Sequence, residues 1–482
     1  MYPFLILGIK IRDGLWPFTI IIVAITVYAN ALWGVFQFDD YNVIVFNPSV
    51  HSLKAWWQDA GSGIRQLLKL TYTLNWLAGP NSFGFHVFNM VCHAVNSFLI
   101  YYLTKRLTYN AVIAFITALF FAVHPIQTES VTYISGRSSS LMAVFYLGSL
   151  LAYTRVERSS GWGGRWGLFS ALLFLLAILT KEVSLTLPFA LVLWELCVSE
   201  KPICFMDMLK RQAFHWSIFI ASLSVFFLFT RYTRLILFSM NLRSLKSNLL
   251  SQLNGITSTV SHYLLLNRLN IDPDLPVISR WSLTVGIEFL FLCVIVAAGI
   301  FSLVRLIRKK SETSEVLPQN QKVIPQPEIY PVIFSFSVFW FIIQLIPTST
   351  LIPRIDIINE RHFYLAGWVI FLLFSSCIVY VFAKIINNMK CMWVTVIVLA
   401  MLAGGFTIAR NHIYRNEIAL WEDTVKKSPN KARGYNNLGY AYFLAGRYDD
   451  AIRAYKKALE INPNHTLARN NLEMAYKASK RR

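Results

Sequence analysis

The chain has 482 residues, 55% of them hydrophobic and only 15% charged, with a mean hydropathy of +0.49. A single soluble core cannot hide that much apolar surface, whereas a bilayer core about 30 Å thick calls for the apolar runs of about twenty residues that recur here. The net charge of +20 does not require nucleic acid: cytoplasmic Lys and Arg that set topology account for it, and no nucleic acid is expected as a partner.

In chain order, hydrophobic helices are predicted at 17–36, 85–104, 109–125, 138–154, 166–180, 184–198, 213–230, 283–304, 329–347, 363–383 and 391–409, about eleven in all. Lys10 and Arg12 before the first run resemble a signal peptide. That run is long and lacks a small-residue cleavage site, so it reads as an uncleaved helix. The pair at 166–180 and 184–198 is short, as tilted or partly sunken helices are. Basic residues place the N-terminus in the cytoplasm, together with Lys105–Arg106, Arg155 to Arg165, Lys201 to Arg211, Arg305 to Lys322 and Lys384 to Lys390. Arg231 to Arg280 breaks this pattern by carrying six basic residues on the outer side. Its stretch Leu249 to Leu269 is either a re-entrant or surface-lying helix or a span, and a span would flip the side of everything after it.

The expected fold is therefore all-α: a polytopic membrane domain over 1–409 and a helical module over 410–482. Outer loops fall at 37–85, 231–282 and 347–362, and a solvated cytoplasmic linker at 309–328. The outer turns at 124–140 and 180–184 and the tail after Arg410 share their side. Cys92, Cys197, Cys204, Cys293, Cys377 and Cys391 show no metal or redox spacing.

Residues 432–465 match the repeat of about 34 residues called tetratricopeptide at Tyr435, Leu438, Gly439, Tyr442, Ala451, Tyr455, Ala458 and Pro463. Half-repeats flank it around Trp421 and Leu472. So few repeats bury little core alone, so the module is expected to pack on the membrane domain. It serves either as a groove for a peptide or partner protein or as a structural cap.

Charges at a membrane boundary are costly, and function is the first hypothesis for them. Asp39 and Asp40 follow Phe36 and Phe38, and their apolar flanks suggest a partly buried pair able to supply a general base. His86, Asn89, His93 and Asn96, spaced 3, 4 and 3 apart, share one helix face and point into the bundle, with interhelical hydrogen bonding as the leading role. Outer turns carry His124, Glu129 and Arg137, then Lys181 and Glu182, then Arg354, Asp356, Glu360, Arg361 and His362; Arg65 lies on the same side. Cations beside carboxylates suit an anionic phosphate and proton removal from a hydroxyl. No metal site is expected, and no Gly-rich nucleotide loop is present in the sequence.

The segments "FQFDDYNVIVFNPSV", "FGFHVFNMVCHAVNSFL", "FAVHPIQTESVTYISGRSSSL", "LTKEVSLTLP" and "LIPRIDIINERHFYLAG", followed by the repeats, resemble the transmembrane and tetratricopeptide-repeat O-mannosyltransferase-like family. This is a group of GT-C class membrane glycosyltransferases with bacterial members. The resemblance implies a GT-C-like membrane domain and an inverting transfer of sugar from a polyprenyl-phosphate carrier to a protein Ser or Thr hydroxyl. It places the base at Asp39 or Asp40 and the second family acid at Glu129. Donor phosphate falls to Arg65, Arg137, Lys181 and Arg361, with His86, His93, His124, Glu182 and Glu360 in support. Two motifs depart from the family: Arg65–Gln66–Leu67 replaces its "RPL", and Gly136–Arg137–Ser138–Ser139 its "GRAD". The implied partners are the lipid-linked donor, an acceptor protein and membrane lipids, with no divalent metal. The implied location is a bacterial inner membrane with the repeats in the periplasm. Two rivals are a polysaccharide ligase or polymerase using the same donor, and a non-enzymatic scaffold that anchors the repeats.

Overall fold

A computed structural model of the chain describes residues 5–6, 9–10, 13–61, 65–156, 163–199, 203–228, 236–316, 329–349 and 352–480. Apart from a two-residue antiparallel pairing of Leu5–Ile6 with Ile9–Lys10, the regular elements are helices. All eleven expected hydrophobic segments are helical. Trp16–Trp33, Ser82–Thr108, Leu283–Glu312, Trp368–Ile385 and Met389–Ile413 are long and apolar enough to cross a membrane alone. Ala111–Val123 and Pro125–Val131, bent by 54°, make a sixth crossing if taken together. Gly164–Ile178, Ala213–Phe226 and Ile329–Leu345 are apolar but shorter. Eleven is thus a count of hydrophobic helices, of which five or six have full crossing length.

One expectation changes. The linker at 309–328 begins as helix, because Leu283–Val316 runs into it; 317–328 lie outside the described residues, as do Arg12, Lys201, Arg231 and Arg234. The stretch 249–269 contributes to the helix Leu245–Ser261, which buries Ser247, Asn248, Ser251 and Gln252. Gln252 Nε2 donates to the Ile357 carbonyl at 2.8 Å, and Gly255 packs on Ile357 and Ile358. The helix lies along the segment 352–362.

The segments sorted to one side by their basic residues do meet at one end of the bundle. Asp40 reaches Ser135, Arg65 reaches Glu182, Lys181 reaches Ser139, Glu129 reaches Arg361, and Glu360 reaches Asn270. The opposite group meets at the other end: Arg106 bonds Thr154, Arg155 lies over Trp166, Arg211 pairs with Glu195, and Lys310 donates to the Leu196 and Cys197 carbonyls.

Between the two ends the helices pack through aromatic rings. Trp340 and Trp368 meet edge to face at 4.7 Å, with Phe336 and Tyr146 against them. Both indole N–H groups find acceptors, the Leu365 carbonyl and Thr104 Oγ1. An apolar bundle leaves no water to satisfy them, so such partners are obligatory.

At the C-terminus Glu417–Lys427, Ala432–Leu444, Tyr448–Ile461 and Thr466–Ser479 stack as successive helices. The module docks on the bundle: Leu420, Trp421 and Leu438 share a buried apolar cluster with Tyr133 and Ile271. Within the repeat, Gly439 lets Ala432–Leu444 approach Tyr455, because a Cβ there would stand 2.6 Å from that ring. Gly439→Val should force the two helices apart, at a cost of about 1–3 kcal/mol. Limited proteolysis should then cut within 417–479 while the membrane domain stays intact.

Candidate active site

The site is built around a break in a helix. Ala111–Val123 ends at His124, and three short turns, Pro125–Gln127, Thr128–Val131 and Ile134–Gly136, carry the chain to Arg137–Tyr153. Such a break frees carbonyls that an apolar bundle must satisfy internally. Asn89 does so, its Nδ2 lying 3.2, 3.4 and 3.2 Å from the carbonyls of Val131, Tyr133 and Ile134. Asn96 donates to the Ser140 carbonyl and to Tyr364, and His93 bonds Tyr364 Oη at 2.8 Å. The polar face expected on the second helix is thus a seam of interhelical hydrogen bonds. Gly136 completes the turn, since a Cβ there would lie 2.0 Å from the Glu129 carbonyl.

This arrangement aims Glu129. It is fully buried; its Oε2 accepts the Arg361 backbone N–H at 2.9 Å, and its Oε1 lies 3.4 Å from the Arg361 guanidinium. Glu129 therefore anchors Arg361, whose guanidinium also lies 5.8 Å from the Tyr133 ring centroid.

The aspartate pair divides its work. Asp40 is 1% exposed; its Oδ1 accepts from the Ser135 N–H at 2.8 Å and from the Ser135 hydroxyl, and its Oδ2 from the Gln37 N–H at 3.0 Å. Burial pushes its carboxyl up to about 7, partly opposed by these donors. Asp39 has its backbone N–H on Tyr133 Oη at 3.0 Å. Its half-buried carboxylate accepts no hydrogen bond among the described residues and lies close enough to favour the charged form of Arg361. Phe38, just before it, has φ +52. A non-glycine residue there costs about 1–3 kcal/mol and needs firm surroundings. Tyr133 and Trp421 supply them, flanking the Phe38 ring at 6.4 and 5.3 Å.

Around Arg361 the structure gathers further basic side chains. Arg361, Lys181 and His362 line one cleft with Ser139, Gln344 and Thr348. Lys181 donates to Ser139 Oγ at 2.7 Å. Burial, with Arg65 and Arg361 nearby, drives its amine well below the usual range. Arg65 grips Glu182 at 3.0 and 2.7 Å, and Arg354 stands 3.8 Å from the same carboxylate. Burial raises the Glu182 carboxyl, but Arg65 overrides it and holds the group low, at about 2. Burial and the surrounding cations keep His362 neutral, far below its ordinary range. Arg65, Lys181, Arg354 and Arg361 thus crowd around Glu129 and Glu182, with Asp39 and Asp356 also acting on Arg361. An anion arriving in the cleft relieves their repulsion and favours the charged form of Lys181.

Several expected residues stand elsewhere. Arg137 does not join the phosphate group: it is fully buried, spends its guanidinium on Asn89 Oδ1, Thr71 Oγ1 and the Phe85 carbonyl, and is flanked by the rings of Tyr72 and Phe88. It clamps helices. His86 packs beneath Gly34, His93 lies in the seam, and His124 caps the break by accepting the Ile126 N–H while bonding the Tyr263 carbonyl. Glu360 is bound to Arg410 at 2.6 Å and to the Asn270 N–H, which ties Met389–Ile413 to the outer segments. Tyr133, Ser139 and Gln344 belong to the site yet were missed, because aromatic, hydroxyl and amide side chains carry no charge signal in sequence. Among the described residues no group of three or more His, Cys, Asp or Glu is placed to hold a metal ion.

The raised carboxyl of Asp40 sets a pH dependence of stability. The folded state holds that proton more tightly than the unfolded chain does. The resulting stabilisation is full below the ordinary carboxylate pKa of 3.8 and is lost as the pH rises through about 7. The thermal midpoint should fall by a few degrees between about pH 5 and about pH 8. Asp40→Asn should flatten that slope, which midpoints across the range for both chains would check.

Residues 68–229 match the family model described as dolichyl-phosphate-mannose-protein mannosyltransferase, and 432–465 match that of the tetratricopeptide repeat. Protein O-mannosyl-transferase TMTC3 of Mus musculus is 26% identical over 95% of this chain and 52% of its own length. Protein O-mannosyl-transferase F38B6.6 of Caenorhabditis elegans is 27% identical over 92% of this chain and 62% of its own. Protein O-mannosyl-transferase TMTC1 of Homo sapiens reaches 34%, over 33% of this chain and 21% of its own. The chain spans little more than half the length of the relatives it matches most fully. The apo Archaeoglobus fulgidus oligosaccharyltransferase superposes with a TM-score of 0.42 at 12% identity, over 90% of this chain and 59% of that one. The motifs, the two family matches and the order of the parts agree: this chain is similar to the transmembrane and tetratricopeptide-repeat O-mannosyltransferase-like proteins.

Proposed function

We propose that this chain is a membrane glycosyltransferase of the GT-C class, moving a sugar from a polyprenyl-phosphate carrier to a Ser or Thr hydroxyl of a protein outside the cytoplasm. The relatives' names point to mannose as that sugar. One observation carries the reading. The uncommitted carboxylate of Asp39 acts electrostatically on Arg361, which belongs with Lys181, Arg65 and Arg354 to one cluster of basic groups.

In the proposed reaction Asp39 removes the proton of the acceptor hydroxyl, and that oxygen attacks the anomeric carbon from the face opposite the phosphate. The anomeric carbon–oxygen bond to the phosphate breaks as the new glycosidic bond forms, which inverts the centre. The electron pair leaves with the polyprenyl phosphate, whose growing charge Arg361 and Lys181 stabilise. Arg65 and Arg354 add to that field while held by Glu182. Asp40 is the positioning member of the pair, since both its oxygens are committed to the turn that presents Asp39. The positive-inside bias puts the centre and the repeats outside the cytoplasm, in the periplasm of a bacterium. The repeat module lies beside the site, where an acceptor protein could be held.

The test uses full-length protein, polyprenyl-phosphate mannose and Ser/Thr peptides, read by peptide mass. Asp39→Asn should lower turnover by roughly 10²–10⁴-fold with donor binding retained. Arg361→Ala should instead weaken donor binding by roughly tenfold to a hundredfold. Undiminished transfer by Asp39→Asn would refute the assignment of the base. Sugar arriving only on glycan acceptors would favour a polysaccharide ligase, and no transfer by the native chain would leave the scaffold reading.

A further inference from the structure

The repeat module does more than sit near the site: one of its side chains ties together both loops that form it. Arg433 opens the helix Ala432–Leu444. Its guanidinium grips Asp272, with Nε at 2.9 Å from Oδ2 and Nη2 on Oδ1, and Nη2 also donates to Asp356 Oδ1 at 2.6 Å. The same guanidinium lies over the Phe38 ring, 5.7 Å from its centroid. Asp356 belongs to the segment that carries Arg354, Arg361 and His362. Phe38 is the left-handed residue immediately before Asp39.

From this juxtaposition we infer that Arg433 is a positioning residue of the transfer reaction, fixing the loop of the base against the loop of the phosphate-binding cations. Asp272 is fully buried and paired with Lys431 as well as Arg433. A buried carboxylate tolerates the loss of a cation poorly, so the contact is kept closed. The Phe38 conformation relies on Tyr133 from the membrane domain and on Trp421 and Arg433 from the module. Tyr41, just beyond the pair, adds a hydrogen bond to Glu417 of the module at 3.3 Å. The module is therefore one wall of the reaction centre, and tilting it moves Asp39 relative to Arg361. A partner-holding arm would not need to grip both loops.

The catalytic consequence rests on the proposed function, whereas the mechanical coupling does not, and the experiment separates them. Full-length Arg433→Met, Arg433→Lys and Asp356→Asn proteins are compared with the native chain in lipid nanodiscs. Polyprenyl-phosphate mannose is the donor, and turnover is divided by the number of donor sites titrated. Amide hydrogen exchange at 38–41 and 354–361 is measured in parallel. Arg433→Met should lose roughly tenfold to a hundredfold in kcat per donor site. Its donor KM should stay within about twofold, and exchange protection should fall in both loops. Arg433→Lys should recover most of the rate, and Asp356→Asn should loosen 354–361 alone. Unchanged protection in Arg433→Met overturns the coupling, even if the native chain shows no transfer. Lost protection with kcat per site unchanged overturns the positioning role while leaving the proposed function standing.

Discussion

A helix cannot break inside an apolar bundle unless the carbonyls it frees find donors, and Asn89 answers that need for residues 131, 133 and 134. Once the break is stable, Glu129 is carried into the protein beside Arg361, and Tyr133 beside Asp39. Gly136 and the buried Arg137 lock the turn from below. The reaction centre is thus a product of backbone hydrogen-bond accounting. Its charged groups are held by uncharged ones, and the amide side chain that permits the geometry never touches the cleft.

Electrostatics decides what the centre is for. Arg65, Lys181, Arg354 and Arg361 crowd together, and Glu129 and Glu182 offset only part of their charge. Burial is the largest cause of the depressed Lys181 amine, and the neighbouring guanidinium groups add to it. An anion bound among these groups would offset their charge. Asp39 and Asp40 are adjacent in sequence but differ in commitment. Three hydrogen bonds make Asp40 part of the scaffold, while the Asp39 carboxylate accepts none among the described residues.

The repeat module and the membrane domain share structure as well as proximity. Trp421 and Arg433 touch Phe38, and Asp272 and Asp356 receive Arg433. A single repeat with two flanking half-repeats has too little core to be an independent body, and the membrane domain supplies the missing surface. The same docking that stabilises the module places it against the loop of the base.

Much of this was legible in the residues themselves. Apolar runs fix which segments become helices, because each residue's preference for lipid over water acts wherever the chain goes, and the 3.6-residue period put His86, Asn89, His93 and Asn96 on one inward face. The spacing of Tyr435, Gly439, Ala451 and Ala458 fixed the repeat in the same local way. Tertiary structure alone decided the remainder. It separated Asp39 from Asp40, withdrew Arg137 from the phosphate group, and joined Arg433 to Asp272 across 161 positions of chain. It also ran Leu283–Val316 into the stretch expected as linker. Local pattern is written into neighbouring side chains, whereas the partner of a buried charge depends on which helix ends meet, and that is settled only when the whole bundle packs.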